Sequence, residues 1–368
     1  LEHAAMLPWA GGAAFSSSPA AMGQGVVDVA GEALADRFRA HFGPEDHLYA
    51  ALLARMADDW EAGGVTREIF DGWQDAPAQL MPHLRMLAGL FRIVLRGEAP
   101  QLEGFYPALG GDLDPRDAWD AVRPVLLARR DELRSSLAVA PQTNEPARTL
   151  ALLIGVSDAV HRSGLNRVRL LEPGASGGLG LLVDRYRFVG EGWSAGPVEA
   201  TLVVPGCGAE GFRPESFEVV ERRGCDLAPV DTSSAEGGEY LTSFVWPWQR
   251  ERHARLTAAL TVAREHPVVV DRAPASQWVA ERLAEPVPDG VLTVVWHSVT
   301  RMYWPAEETA AVDDAVRVAR GRMPLAHVAF EHDWAAASGS GSPGLPRVEL
   351  DGEVLGVGDH HGPPVRWS

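Results

Sequence analysis

The sequence contains no lysine: all 33 of its basic residues are arginine. Schiff-base enzymes, pyridoxal phosphate enzymes and P-loop NTPases each need a lysine amine, so all three classes are excluded. Cysteine is nearly as scarce. Cys207 and Cys225 lack a CxxC partner, which indicates neither a disulfide framework nor a zinc site and fits reduced structural thiols in a cytoplasmic protein. Positive charge is in deficit, with 50 acidic residues against 33 basic ones and a net charge of -17. That balance argues against a broad nucleic-acid footprint and against an anionic membrane surface as partner. No apolar run reaches the roughly eighteen residues a membrane helix needs, and no basic segment leads into an apolar stretch at the N-terminus. A small-molecule substrate is the partner class left in view; no oligomeric state is legible.

A chain of 368 residues with 46% hydrophobic content predicts two globular domains, or one large domain with an added layer. Residues 1–25, mostly Ala, Gly, Ser and Pro, read as a poorly ordered leader, and Leu1 in place of Met points to a start further upstream. From Val26 to about Arg162 the apolar residues recur at helical spacing. Leu48, Leu52, Leu53 and Met56 form one stripe, and Leu84, Leu87, Phe91, Val94 and Leu95 form another that stops at Gly97. Asp114-Pro115 predicts a capped helix carrying Trp119, Val122, Leu126, Leu133 and Leu137. A last helix is expected over Glu145–His161, ended by Gly164. The prediction is a helical N-terminal domain over 26–163.

Beyond Gly164 strands and helices alternate, which implies a largely parallel sheet covered by helices. Strands are expected at Val168–Leu171, Val198–Val204, Pro267–Val270, Val291–Trp296 and Leu325–Phe330. Pro247–Arg264, Pro274–Leu283 and Pro305–Arg320 read as helices, each opened by proline. Residues 335–344 read as a flexible connection. In Arg347–Leu355 a two-residue Asp-Gly turn separates two β-like runs, hence a hairpin. The expected fold is α/β: a Rossmann-like domain over 164–368 whose sheet ends in an antiparallel hairpin.

One stretch concentrates the chemistry. A short apolar strand runs to Glu172, a turn carries Gly174, Gly177 and Gly178, and Leu179, Leu182, Val183 and Tyr186 then take up helical spacing. Glycines let backbone approach a ligand, and the first amides of a following helix offer a positive pole, an arrangement suited to a nucleotide-like ligand. A plain strand-turn-helix corner gives the same pattern. Gly174-Ala-Ser176-Gly-Gly178 also matches G-x-S-x-G, the nucleophile elbow that would make Ser176 an esterase nucleophile, although the strands and oxyanion loop that precede such an elbow are replaced here by helices.

The segment Glu-Pro-Gly-Ala-Ser-Gly-Gly at 172–178 resembles the glycine loop of class I S-adenosylmethionine-dependent methyltransferases, with Ser176 in place of the middle glycine. The whole chain resembles the bacterial family of domain of unknown function 2332. The matching pieces include Leu48-Tyr-Ala-Ala-Leu-Leu-Ala-Arg-Met56, Gly104-Phe-Tyr-Pro-Ala-Leu-Gly110, Gln142-Thr-Asn-Glu145, Asp184-Arg-Tyr186, Arg223-Gly-Cys-Asp226 and Val245-Trp-Pro247, spread over nearly all of 26–331. The resemblance implies a helical cap on a methyltransferase-like domain, S-adenosylmethionine as cofactor, and methyl transfer to a small or medium-sized acceptor. A module that binds the cofactor without catalysis is the alternative. Glu172, Gly174, Ser176 and Gly178 are then the cofactor loop, Asp226 or Asp231 the holder of the ribose, and Asp271 with Arg272 the residues at the adenine. His297, after the strand Val291–Trp296, is the implied general base, or else a hydrogen-bonded structural histidine.

Gln142, Thr143, Asn144, Glu145 and Arg148 form a polar cluster that either caps a helix or borders the cofactor. In the second case Asn144, Arg148 and Tyr303 are the substrate-binding residues, Arg148 taking an anionic group. Asp359-His360-His361 and Glu331-His332-Asp333 lack a helical metal-ligand spacing and read as solvated, so no metal is expected. Trp73, Trp119, Trp248 and Trp278 sit on helical stripes and are expected in the core.

Overall fold

Between Leu34 and Ser136 helical periodicity governs, and six α-helices form: α1 (Leu34–Phe42), α2 (Leu48–Glu61), α3 (Val65–Ile69), α4 (Pro82–Leu95), α5 (Ala118–Ala128) and α6 (Arg130–Ser136). This computed structural model describes residues 34–42, 46–76, 80–206, 208, 211–332 and 344–367. The expected leader, Cys207, Asp333 and nearly all of the 335–344 connection lie outside the described residues. The predicted stripes close one apolar core: Leu52, Leu53 and Met56 of α2 meet Leu87, Phe91 and Val94 of α4, with Val122, Leu126 and Leu133 beneath. Asp114 does cap, accepting the Arg116 N–H at 2.9 Å. It opens a 3₁₀ turn, however, and the single helix expected after it is divided in two at Arg129, whose φ of -117° leaves the helical region.

Helix α7 (Thr149–Ser163) ends at Gly164, which takes φ +69° as a left-handed cap. Its first expected turn is instead a 3₁₀ turn, Pro146–Arg148. Leu150, Leu152, Leu153, Ile154 and Val156 are all buried, because α7 lies against the sheet rather than only against the helical core.

The strands, in chain order, are β1 (Arg167–Pro173), β2 (Arg187–Gly190), β3 (Trp193–Ala195), β4 (Val203–Pro205), β5 (Glu218–Asp226), β6 (Val270–Arg272), β7 (Val291–Ser298), β8 (Leu325–His332), β9 (Pro346–Leu350), β10 (Glu353–Asp359) and β11 (Gly362–Trp367). The main sheet runs β11-β10-β9-β8-β7-β1-β5-β6. Five strands, β6, β5, β1, β7 and β8, are parallel; β9, β10 and β11 extend the sheet as an antiparallel meander. Asp351 and Gly352, at φ +55° and +87°, make the two-residue turn between β9 and β10.

Successive residues of each central strand point to opposite faces. Leu170 and Val294 join the layer containing α7 and α9 (Arg250–Glu265), while Leu171 and Val295 join the layer of α10 (Ala275–Ala284) and α11 (Ala306–Arg320). Helix α8 (Ala235–Ser243) packs on α4 and so links the sheet to the helical core. Because β1 is flanked by β5 on one side and β7 on the other, the strand order reverses there, and open α/β sheets bind ligands at such a reversal.

Three strands differ from expectation, the run predicted as Pro267–Val270 forming β6 only from Val270 to Arg272. The residues predicted as Val198–Val204 supply only β4, in a separate three-stranded sheet with β2 and β3. The neighbour of β1 is Glu218–Asp226, whose charged side chains conceal it: Arg222 pairs with Asp184 at 2.7 Å and Arg223 with Asp271 at 3.0 Å. The glycine loop is also followed by a 3₁₀ segment, Leu179–Arg185, broken at Leu182, instead of an α-helix.

Candidate functional site

A cleft of about 570 Å³ opens over the carboxyl ends of β1, β5, β6 and β7. Glu172, Gly174, Ser176, Asp226, Asn144, Arg148 and Tyr303 all line it, together with Arg85 from α4, Trp296, Thr300 and Glu308. Gly178, Asp231, Asp271, Arg272 and His297 are not part of its wall.

The loop is held almost entirely by internal hydrogen bonds. The Gly174 and Ala175 amides both donate to the Cys225 carbonyl, at 2.8 and 2.9 Å, and Gly178 donates to Ala175. Ser176 N–H donates to Asp226 Oδ2 at 2.9 Å and Leu179 N–H to Asn144 Oδ1 at 3.0 Å. Five of the amides at this turn are thus already satisfied, which reduces the positive pole expected there.

Each glycine answers a local crowding. Gly174 has φ +76°, and a Cβ there would stand 2.3 Å from Thr300 Oγ1; one on Gly178, at φ +73°, would stand 2.6 Å from a methyl of Val268. These glycines make room for neighbouring side chains, and Gly174 also lines the cleft. Ser176 takes φ +54°, and its buried Oγ has no hydrogen-bond partner.

Glu172 is 5% exposed, accepts the Trp296 Nε1–H at 3.0 Å, and leaves Oε2 buried without a partner. Burial pushes its carboxyl up to about 8; the Asp226 charge adds to the rise and the tryptophan bond opposes it. Asp226, at the end of β5, is the acid at the strand end that the sequence left open between positions 226 and 231. Its Oδ1 accepts the Ala228 N–H at 2.8 Å, so both oxygens already organise backbone. Asp231 instead caps the turn at Ser233, at 3.0 Å.

Asn144 was expected at the substrate but is a clamp on the loop, since its amide also donates to the Ala175 carbonyl at 2.9 Å. Glu145 is buried between Arg252, at 2.6 Å, and Arg255, at 3.3 Å. Arg148 and Arg85 are 7% and 8% exposed; their hydrogen bonds go to carbonyls, and Arg85 also lies over the Trp73 ring at 5.8 Å. Arg148 donates through Nε to His360 at 3.1 Å, and Arg85 donates to Leu80 at 2.6 Å and to Leu137 at 3.0 Å. Burial lowers the pKa of both.

Three sequence assignments require correction. Asp271 lies within β6, where its carboxylate accepts from Arg223 and from Trp278 Nε1–H at 2.7 Å, so it faces its own neighbours and not the cleft. Arg272 is exposed and donates to the Leu227 carbonyl at 2.8 Å. His297 is fully buried, with Nδ1 at 2.7 Å from Glu331 and Nε2 at 3.0 Å from His327. With both ring nitrogens engaged and no cleft exposure, it does not reach a substrate proton. The esterase elbow has no visible base: among the described residues no histidine lines the cleft beside Ser176.

Among the described residues no group of three His, Cys, Asp or Glu side chains is arranged to hold a metal. Cys225 is buried with a free thiol pushed up to about 12 by that burial. Among the described residues no helix is long and apolar enough to cross a membrane. Sequence reasoning misses Trp296, Arg85 and Thr300; the available signal is a tryptophan at a strand end and an arginine, one of two, inside the apolar run of α4.

A family model described as an uncharacterized protein conserved in bacteria, DUF2332, matches residues 36–367. No curated protein and no solved structure matches the chain.

Proposed function

The chain belongs to the DUF2332 family, whose description assigns no chemistry, and from the geometry of the cleft we propose S-adenosylmethionine-dependent methyl transfer. The observation that carries this reading is the position of two carboxylates, Glu172 and Asp226, at the ends of adjacent parallel strands where the strand order reverses, both in the wall of one cleft. A volume of about 570 Å³ is of the size that takes a cofactor-like molecule.

The charge of the site favours this cofactor over a dinucleotide. A pyrophosphate needs free loop amides, and these are engaged by Cys225, Asp226 and Asn144. A cationic ligand suits the buried Glu172 Oε2, whose ionisation is held back by desolvation. When bound, S-adenosylmethionine supplies an electrophilic methyl group on a positively charged sulfur. Glu172 would hold the cationic amino-acid end, and Asp226 the ribose hydroxyls through lone pairs not already engaged by Ser176 and Ala228. Trp296 fixes the Glu172 carboxylate, and Asn144 fixes the loop. Among the described residues no histidine lines the cleft, so the proton leaving the acceptor would pass to a carboxylate of the wall or to water. The same observation favours a second reading, a cofactor-binding module without catalysis.

Isothermal calorimetry with S-adenosylhomocysteine tests the cofactor directly. Ligand present at about 100 times its dissociation constant should raise stability by about 2.7 kcal/mol, and a flat thermal response with no heat of binding sinks the assignment. Incubation with methyl-labelled S-adenosylmethionine and cell-extract metabolites then separates the enzyme from the binding module, because only the enzyme moves label.

A further inference from the structure

The structure assigns to the cleft an oxyanion subsite made by Arg85, Arg148 and the Tyr303 hydroxyl, and we infer that the methyl acceptor is a small molecule carrying a phosphate or carboxylate there. The acceptor assignment rests on the methyltransferase reading; the subsite itself does not.

A buried guanidinium without a carboxylate is costly, and proteins ordinarily pair it. The other two arginines buried as deeply among the described residues follow that pattern: Arg169 has Glu221 and Glu285, and Arg252 has Glu145. Arg85 and Arg148 depart from it. Their hydrogen bonds go only to neutral carbonyl oxygens, Arg85 also lies over the Trp73 ring at 5.8 Å, and among the described residues neither has a carboxylate within ion-pair distance. Arg85 keeps one terminal nitrogen and Arg148 keeps two that no bond accounts for, and both side chains line the cleft.

The two cations come from different parts of the chain, Arg85 from α4 of the helical core and Arg148 from the turn before α7, yet both act electrostatically on the Tyr303 hydroxyl. Glu172, in contrast, is influenced by Asp226. Glu145 and Glu331 also act on Arg148, but their own ion pairs are with Arg252, Arg255 and His297 and neither comes within ion-pair distance of it. Arginine presents a planar fork of donors that matches the paired oxygens of a carboxylate or phosphate. Tyr303 lines the same cleft, and its hydroxyl can serve as a third donor there. Net charge strengthens the case: a chain at -17 repels anions in general, so recognition of one needs a built cationic pocket.

The test uses the full chain and calorimetric titration with sodium phosphate, and separately with sodium malonate, against sodium chloride at equal ionic strength. Each titration is run with and without saturating S-adenosylhomocysteine. One anion per chain should bind above the chloride control, and the tighter of the two probes identifies the acceptor's group. Arg148→Gln should weaken that anion about tenfold or more while changing S-adenosylhomocysteine affinity by less than about twofold. Arg85→Gln should act alike. Because Arg85 also braces the Leu80 and Leu137 carbonyls, Tyr303→Phe, at an exposed position, serves as an independent variant and should weaken the same anion several-fold.

Absence of anion binding above chloride overturns the subsite, as does unchanged anion affinity in both Arg148→Gln and Tyr303→Phe. If Arg148→Gln instead weakens S-adenosylhomocysteine by the larger factor, the guanidinium holds the cofactor's own carboxylate and the acceptor assignment is wrong. Anion binding without any S-adenosylhomocysteine binding leaves the subsite standing and removes the methyltransferase reading, so the two failures are distinct.

Discussion

The carboxylate of Asp226 accepts the backbone N–H of Ser176 at 2.9 Å, and this single bond joins the end of β5 to the turn that follows β1. Ser176 sits at φ +54°, a conformation an L-residue adopts at a cost. The Asp226 bond, with the Asn144 clamp, holds it there. The same carboxylate fixes the Ala228 N–H, so one residue sets the position of two walls of the cleft.

Asp226→Asn tests that double role. An asparagine has one acceptor oxygen, so its NH₂ must face either the Ser176 or the Ala228 N–H, donor against donor. Loss of one hydrogen bond to a charged acceptor, about 1.5–3 kcal/mol, should lower the melting temperature, and S-adenosylhomocysteine should bind at least about tenfold more weakly. Unchanged affinity in a destabilised variant would make Asp226 a brace for the loop and nothing more.

Asn144 offers a cleaner separation of loop order from ligand contact. It donates to Ala175 O and accepts from Leu179 N–H, both within the loop. Asn144→Asp keeps the acceptor but sets a carboxylate against the Ala175 carbonyl, and should cost about 1–3 kcal/mol. Hydrogen exchange of the Ser176 to Leu179 amides should quicken in this variant before exchange in β7 changes. Equal exchange across both would show that the clamp does not hold the loop.

Much of this architecture is legible in the sequence, because its signals are apolar periodicity and turn chemistry. β1, β7, β8, the Asp351-Gly352 hairpin and the helices α9, α10 and α11 all follow from them. What was not legible is β5. Its residues carry charge where a central strand is expected to be apolar, since Arg222 and Arg223 are neutralised by Asp184 and Asp271, residues distant in sequence. The site divides similarly. Glu172, Gly174, Ser176, Asp226, Arg148 and Tyr303 are placed in the cleft by being at strand ends or turns, whereas the inward direction of Arg85 depends on how α4 packs, which no local pattern carries. Asp271 and His297 are at strand ends too, but their side chains turn to partners within the protein.

Glu172 predicts a pH signature. Its folded pKa of about 8 lies above the ordinary carboxyl value of 4.5. The folded state therefore holds a proton that the unfolded chain releases between those values. This contribution to stability is complete below about pH 4.5 and is lost as pH rises toward 8. Glu172→Gln, which keeps an acceptor for Trp296 Nε1–H, should flatten the decline in that window. A cationic ligand favours the ionised form, so S-adenosylmethionine should bind more tightly as pH rises to about 8 and then level off, with proton release seen by calorimetry in buffers of different ionisation enthalpy. No proton release near pH 7 would place the ligand's cation away from Glu172.

His297 is expected to support the cleft from behind, and the hydrogen-bond roles show how. Glu331 when ionised can only accept, so His297 Nδ1 carries the proton donated at 2.7 Å, and Nε2 then accepts from His327 Nε2–H at 3.0 Å. The Glu331 Oε1 that receives this bond also accepts the Thr300 N–H at 3.1 Å. His297 thereby orients the carboxylate that holds the segment bearing Thr300 and Tyr303 at the cleft. His297→Asn should strand a buried His327 and a buried part of Glu331, costing about 1–3 kcal/mol, and should weaken ligands through the shifted segment. Burial also holds His327 well below the ordinary value of 6.5. A histidine depressed in the fold binds its proton in the unfolded chain first, so wild-type stability should fall as pH drops below about 6.5. His327→Gln should lessen that fall. The shape of any methyl-transfer pH profile should be the same in wild type and His297→Asn. Loss of an ionisation near neutrality from that profile, with stability unchanged, would instead restore His297 as a base and show that the segment opens in solution.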